Sequence, residues 1–205
     1  MTGTPPPHPD TELRFTVERA DTEPGATLLR EFRAELEGRY GPLDPSAPLG
    51  PTATPDELAA PYGTFLVARL GDEPVGCGGC KRLLGHDHLD GPTAEIKRMY
   101  VRPAGRGHGV ARALLAALER AATDLGHRLV RLDTGPKQPD ARHIYRTSGY
   151  REIDDYNGNP LAAHWFEKDL GAGPAEPAGR GTAQASADDP PPVRRRTSHI
   201  TDPPR

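Results

Sequence analysis

The sequence predicts an α/β fold: one mixed sheet of about seven strands with about four helices on its two faces. Three observations carry this prediction. Segments with two-residue alternation lie toward both ends of the region Glu12 to Leu170, two segments place apolar residues at three- and four-residue spacing, and strand-like and helix-like segments alternate in the middle of that region. Alternation in the middle requires a crossover and hence a parallel pair, whereas hairpins before and after it give antiparallel pairs.

Leu13 to Arg19 (LRFTVER) alternates apolar and polar residues and reads as the first strand. Asp21 is placed to cap a helix whose Leu28, Leu29, Phe32, Leu36 and Tyr40 form one apolar stripe. From Gly41 to Thr52, prolines recur at 42, 45, 48 and 51, which predicts a stiff, unpaired loop of lid or binding-loop length. Thr54, Pro55, Asp56 and Glu57 read as a capping box, so a short second helix is expected there. GTFLVARL (63–70) and PVGCGGCKRLL (74–84), separated by Gly-Asp-Glu, predict a hairpin, and AEIKRMYV (94–101) a third strand beyond it. Val110, Leu114, Leu115, Leu118, Ala121, Ala122 and Leu125 make the clearest helical stripe, closed by Gly126. LVRLDT (129–134) is strand-like, Pro139 opens a helix through Arg146, and strands at 150–153 and 163–168 complete the set.

Composition sets the domain limits. The chain carries 24 Pro and 23 Gly in 205 residues, roughly twice the ordinary share of about 12%. Residues 171–205 hold seven Pro and four Gly, with Val193 and Ile200 as the only apolar side chains larger than Ala. Such a segment has too little to bury to offset its ordering entropy. The expectation is therefore a disordered tail at 1–11, one domain at 12–170, and a second disordered tail at 171–205. Net charge is −3, without the basic balance that dominates nucleic-acid binding. MTGTPPPHPD lacks the basic and apolar regions of a secretory leader, and no apolar run reaches membrane-spanning length. A soluble, cytoplasmic protein without nucleic-acid or membrane partners is expected. Its two cysteines, Cys77 and Cys80, exclude a disulfide framework.

Chemistry concentrates in RPAGRGHGVA, between the strand ending at Val101 and the helix starting near Gly107. Gly105, Gly107 and Gly109 let main-chain N–H groups converge without a Cβ in the way. The helix that follows adds its own unpaired N–H groups and positive dipole end. This is a phosphate cradle. It fails the dinucleotide fingerprint, because the third glycine position falls on Val110 or Arg112, and it lacks the Lys-Ser/Thr ending of the nucleotide P-loop.

What remains, Arg106-x-x-Gly109-x-Ala111, resembles the coenzyme A pyrophosphate motif of the GNAT superfamily of N-acetyltransferases. The likeness continues through LDTG (132–135), PDARHIYRTSGY (139–150) and WFEKDL (165–170), while the first 90 residues match in element order alone. The resemblance implies a central, mostly antiparallel sheet and acetyl-CoA as cosubstrate without a metal. It also implies direct attack by a primary amine, of a small molecule or a protein, within a ternary complex. Main-chain N–H near Tyr100 or Val101 then holds the acetyl carbonyl. Arg106, Gly107, His108, Gly109, Val110 and Ala111 hold the pyrophosphate. Asp140 stands where many relatives carry Asn, which puts that coenzyme contact in question. Tyr145 matches the tyrosine that protonates the departing thiolate, or else packs beneath the pantetheine arm. Glu95 matches a carboxylate that accepts the amine proton, directly or through water, or else is a solvated strand residue paired with Lys97 or Arg98; Asp133 is the rival base.

Magnitudes rank these effects. Holding an amine of pKa ~10.4 deprotonated at neutral pH costs roughly 4 kcal/mol, whereas juxtaposing two reactants offsets roughly 7–11 kcal/mol of barrier. Positioning is the larger effect. The alternative reading is a non-catalytic acyl-CoA-binding regulatory module, which would keep the cradle without turnover. The acceptor and the oligomeric state, a homodimer among the options, are left open. Cys77-Gly-Gly-Cys80 lacks the second ligand pair of a zinc site and reads as small strand residues. The cluster His86, Asp87, His88, Asp90 reads as a polar turn, Arg194 to Arg196 as part of a solvated tail, and His108 as a surface side chain beside a cradle built from backbone.

Overall fold

The computed structural model describes residues 12–43, 53–85 and 92–171. The Pro-rich stretch from 44 to 52, the His86 to Asp90 cluster and the terminal segments 1–11 and 172–205 lie outside the described residues. Within them the elements run β1 (Leu13–Val17), α1 (Gly25–Tyr40), β2 (Gly63–Leu70), β3 (Glu73–Arg82), β4 (Thr93–Val101), a 3₁₀ turn (Pro103–Gly105), α2 (Val110–Asp124), β5 (Leu129–Thr134), α3 (Pro139–Thr147), β6 (Arg151–Ile153) and β7 (His164–Asp169). The seven strands form one sheet in the order β1-β2-β3-β4-β5-β7-β6. Every pairing is antiparallel except β4 with β5, which α2 connects as a crossover.

Two apolar layers clamp the sheet. On one face Leu114, Leu115, Leu118 and Ala122 of α2 pack with Tyr145 of α3 against Leu66, Ile96, Val130, Leu132 and Phe166. On the other, Leu28 of α1 meets Phe65, Val67, Cys77 and Tyr100. Burying each large side chain contributes about 1.5–3 kcal/mol. The expected helices on both faces are present.

Two local expectations fail. Thr54 and Glu57 do make the reciprocal bonds of a capping box, Thr54 N–H to Glu57 Oε2 at 2.8 Å and Glu57 N–H to Thr54 Oγ1 at 3.3 Å. No helix follows: bonds from Leu58 N–H to Thr54 O and from Gly63 N–H to Ala59 O close single turns. Pro61 supplies no N–H to carry a ladder onward, and the chain enters β2 two residues later. Among the described residues three α-helices therefore stand where about four were expected. Asp21 does not cap α1 either. Its carboxylate takes two bonds from Arg19, and α1 begins four residues later behind Pro24, with no side-chain cap.

Candidate active site

The site begins with an irregularity in β4. Cys77 pairs with Tyr100 and Gly79 with Lys97, so β4 carries one residue more than β3 over that interval. Arg98 adopts φ +60°, uncommon for a residue with a Cβ. Such a bulge bends its strand. Pairing of β4 with β5 accordingly runs from Thr93 to Glu95 and stops, leaving a wedge between two parting parallel strands. Arg102 N–H bonds Val75 O at 2.8 Å, on the β3 side. Successive residues of a strand present their main-chain groups to alternate edges, so Val101 N–H faces the uncovered edge. Val101 O faces that way too, and accepts Arg106 Nε at 2.9 Å.

A cleft of about 390 Å³ opens at this wedge, with Tyr100, Val101, Arg106, Gly107, Gly109, Val110, Ala111 and Asp140 among its walls. Gly107 and Gly109 hold φ of +80° and +74°, and a Cβ at either would meet empty space. The backbone there is open toward a ligand. The first bond into α2 runs from Ala113 N–H to Gly109 O, so the N–H groups of Val110, Ala111 and Arg112 precede the helical ladder. Not all three glycines serve the cradle in the same way. A Cβ on Gly105 would crowd Val101 Cγ1 and Val75 Cβ, both at 3.1 Å, so Gly105 also lets the 3₁₀ turn seat on β3 and β4. Arg106 is tied down by Val101 O and by the Glu35 carboxylate of α1. The exposed His108 ring bonds Arg106 O at 2.9 Å and is not part of the cleft wall.

A smaller hollow of about 100 Å³ adjoins, lined by Leu36 and Tyr40 of α1, Ile96, Lys97 and Arg98 of β4, Asp133 of β5, and Asn159. The two spaces share Phe32, Met99, Gln138, Ala141 and Tyr145. Tyr145 is 6% exposed, and its hydroxyl reaches Met99 Sδ at 4.0 Å. Burial first, then the negative charge of Asp133, pushes its phenol above the ordinary value. It stays protonated, on a residue that lines both spaces.

Glu95 is a different case. It is 1% exposed, lines neither space, and accepts Tyr156 O–H at 2.9 Å, Asn157 Nδ2 at 3.0 Å and Lys97 Nζ at 3.0 Å. Of the two readings of Glu95, the pairing with Lys97 is present, in a buried rather than a solvated setting, and direct contact with an amine in either space is not. Asp133 does reach the hollow, held by Lys97 Nζ at 3.0 Å, Asn157 Nδ2 at 2.7 Å and Asn159 Nδ2 at 2.8 Å. Sequence reasoning named Lys97 as a partner of Glu95 and missed the rest of this polar layer, Tyr156, Asn157 and Asn159. YNGNP reads locally as a turn, and nothing in it signals that the loop between β6 and β7 folds back onto β4 and β5. Among the described residues no cluster of three metal-ligating side chains occurs, and no helix is long and apolar enough to cross a membrane.

The model of the Acetyltransferase (GNAT) family matches residues 27–150. An IAA acetyltransferase of Azospirillum brasilense is 35% identical over 116 residues, which is 55% of this chain and 72% of that protein. An aminoglycoside N(6')-acetyltransferase type 1 of Stenotrophomonas maltophilia is 32% identical over 94 residues, 44% of this chain and 60% of that one. Among solved structures, a GNAT-family acetyltransferase from Staphylococcus aureus superposes with a TM-score of 0.61 at 17% identity, covering 78% of this chain and all of that one. One from Elizabethkingia anophelis with acetyl-CoA bound gives 0.51 at 17% identity, over 77% and 97%. The match across residues 27–150 takes in the parted strands, the cradle and Tyr145 together, and the chain belongs to the acetyltransferase (GNAT) family as an N-acetyltransferase.

Proposed function

We propose that the protein moves an acetyl group from acetyl-CoA to the primary amine of a small molecule, by direct attack while both are bound. The observation that carries this is the position of Tyr145, a protonated, buried donor at the junction of a phosphate-cradling cleft and a second, smaller hollow. Acetyl-CoA supplies a thioester carbon open to an amine. The N–H groups of residues 107–112 and the N-terminal dipole of α2 receive the pyrophosphate; a single helix end contributes about 0.3–2 kcal/mol and convergent donors more. Val101 N–H receives the negative charge that develops on the thioester oxygen. Tyr145 gives its proton to the leaving sulfur. Asp133 takes the proton released by the amine, and Glu95 acts at one remove, fixing the Lys97 and Asn157 that hold Asp133. A hollow of about 100 Å³ favours a small acceptor over a protein amino group.

Thermal stability in the presence of candidate ligands tests the assignment. Acetyl-CoA at 100-fold excess over its Kd is expected to add about 2.7 kcal/mol, with NAD and ATP adding nothing comparable. Equal stabilisation by NAD would overturn the cradle as a coenzyme A site. Thiol release across an amine panel separates an enzyme from a regulatory module that binds the coenzyme without turnover.

A further inference from the structure

Arg98 sits at the bulge of β4 and lines the smaller hollow, yet its guanidinium has no hydrogen bond or ion pair among the described residues. The surrounding charges make this unusual. Lys97, next along the strand, is neutralised by Glu95 and Asp133. Arg39 and Arg106 share Glu35, Arg102 takes Glu31, and Arg33 takes Glu37. The carboxylates of α1 that could face Arg98 are thus already engaged, and the charge acting most on it is the like charge of Arg33. Burial, followed by that repulsion, pulls its pKa below the ordinary arginine value. A partly buried cation without a counter-charge is costly, and so is a left-handed backbone at a side-chain-bearing residue. Both costs fall on one residue, at the wall of the space beside Tyr145.

We infer that the acceptor amine also carries a carboxylate, bound by Arg98, and that the protein acetylates a molecule of amino-acid size. This rests on the smaller hollow being the acceptor site. A guanidinium fork matches a carboxylate with two parallel bonds, and the anion supplies the counter-charge that the chain does not. The opposite charge is in place as well: Glu95 and Asp133 together outnumber the single charge of Lys97, and Asp133 lines the same hollow, where that excess negative charge suits the ammonium group. A zwitterion presenting its amine to Tyr145 and Asp133 and its carboxylate to Arg98 would find both charges answered. The apolar walls supplied by Leu36, Ile96 and Leu161 leave room for a short side chain.

The experiment is calorimetric binding, with CoA present, of the common amino acids and their carboxamides to wild type, Arg98→Gln and Arg98→Lys, followed by kcat/KM for each pair. Wild type is expected to prefer the best acid over its amide by about 10- to 100-fold. Arg98→Gln should abolish that ratio, Arg98→Lys should keep part of it, and CoA affinity should be unchanged in both. Lack of an acid preference in wild type, its survival in Arg98→Gln, or failure of every amino acid to bind overturns the inference. Acid-selective binding through Arg98 without acetyl transfer would uphold the carboxylate site and sink the transferase reading. Efficient acetylation of amines lacking a carboxylate, at equal rates in wild type and Arg98→Gln, would do the reverse.

Discussion

The Tyr145 hydroxyl is buried against a weak partner, the Met99 sulfur at 4.0 Å, while its ring packs 5.9 Å from Tyr150 and 5.7 Å from Phe166. Removing the oxygen therefore costs little stability, because the ring contacts remain and no strong hydrogen bond is lost. If the hydroxyl protonates the leaving thiolate, Tyr145→Phe should lower kcat roughly 10- to 10³-fold, with acetyl-CoA affinity and melting temperature nearly unchanged. A thiol of pKa ~8.5 leaves unaided at some rate, so the loss is partial rather than complete. The raised phenol pKa adds a second expectation. Activity should show no alkaline fall from this group until above pH ~10, since its proton is held more tightly than that of a free tyrosine. Single-turnover rates of wild type and Tyr145→Phe across pH 6–10 check both, and an unchanged rate in the variant would leave Tyr145 as a packing residue.

At the scale of elements, the close seat of α2 on the sheet depends on Gly78. A Cβ there would lie 2.8 Å from Leu118 Cδ1 and 3.2 Å from Met99 Cγ. The pair Cys77-Gly-Gly-Cys80 is thus a packing device: Gly78 admits α2 on one face and Gly79 admits Leu58 on the other. Gly78→Val is expected to destabilise by about 1–3 kcal/mol and to weaken acetyl-CoA binding, because α2 carries the cradle at its N-terminus. Gly38→Ala on α1, where a Cβ meets nothing within 4 Å, should instead stabilise by about 0.5–1 kcal/mol. Urea unfolding of the two variants measures both, and destabilisation by Gly38→Ala would show that α1 packs differently. These elements also show what was legible in the sequence. The α2 stripe and the glycine turn ahead of it were readable because both are local, fixed by residues a few positions apart. The wedge was not: it follows from one extra residue in β4 relative to β3, a comparison between strands that neither strand contains alone. The capping box at Thr54 failed from the opposite cause, correct local chemistry cut short by Pro61. Glu95 could be placed on β4 but not in or out of the hollow, since that depends on Tyr156 and Asn157, some sixty residues away.

Across the whole molecule, both apolar layers hold groups that resist ionisation. Burial pushes Cys77, beneath α1, and Cys80, beneath α2, from the 9.0 of a free thiol up to about 12. Tyr100, Tyr145, Tyr150 and Tyr156 are all raised above 10.0, with burial the first cause in each. Folded values above unfolded ones mean that the unfolded chain releases its protons first. The stabilisation linked to these groups is full below pH ~9, the unfolded thiol value, and is lost as pH climbs toward the folded values. Each such group subtracts about 1.4 kcal/mol per pH unit inside its window. The two thiols alone should then remove about 3 kcal/mol by pH 10, a large share of a typical stability of 5–15 kcal/mol, and the tyrosines steepen the fall beyond that. Urea midpoints between pH 7 and 11 are the measurement. A double Cys77→Ala, Cys80→Ala variant should flatten the curve between pH 8.5 and 10 while leaving the steeper tyrosine limb above it. A wild-type midpoint constant from pH 7 to 10.5 would mean that water reaches both layers of the core.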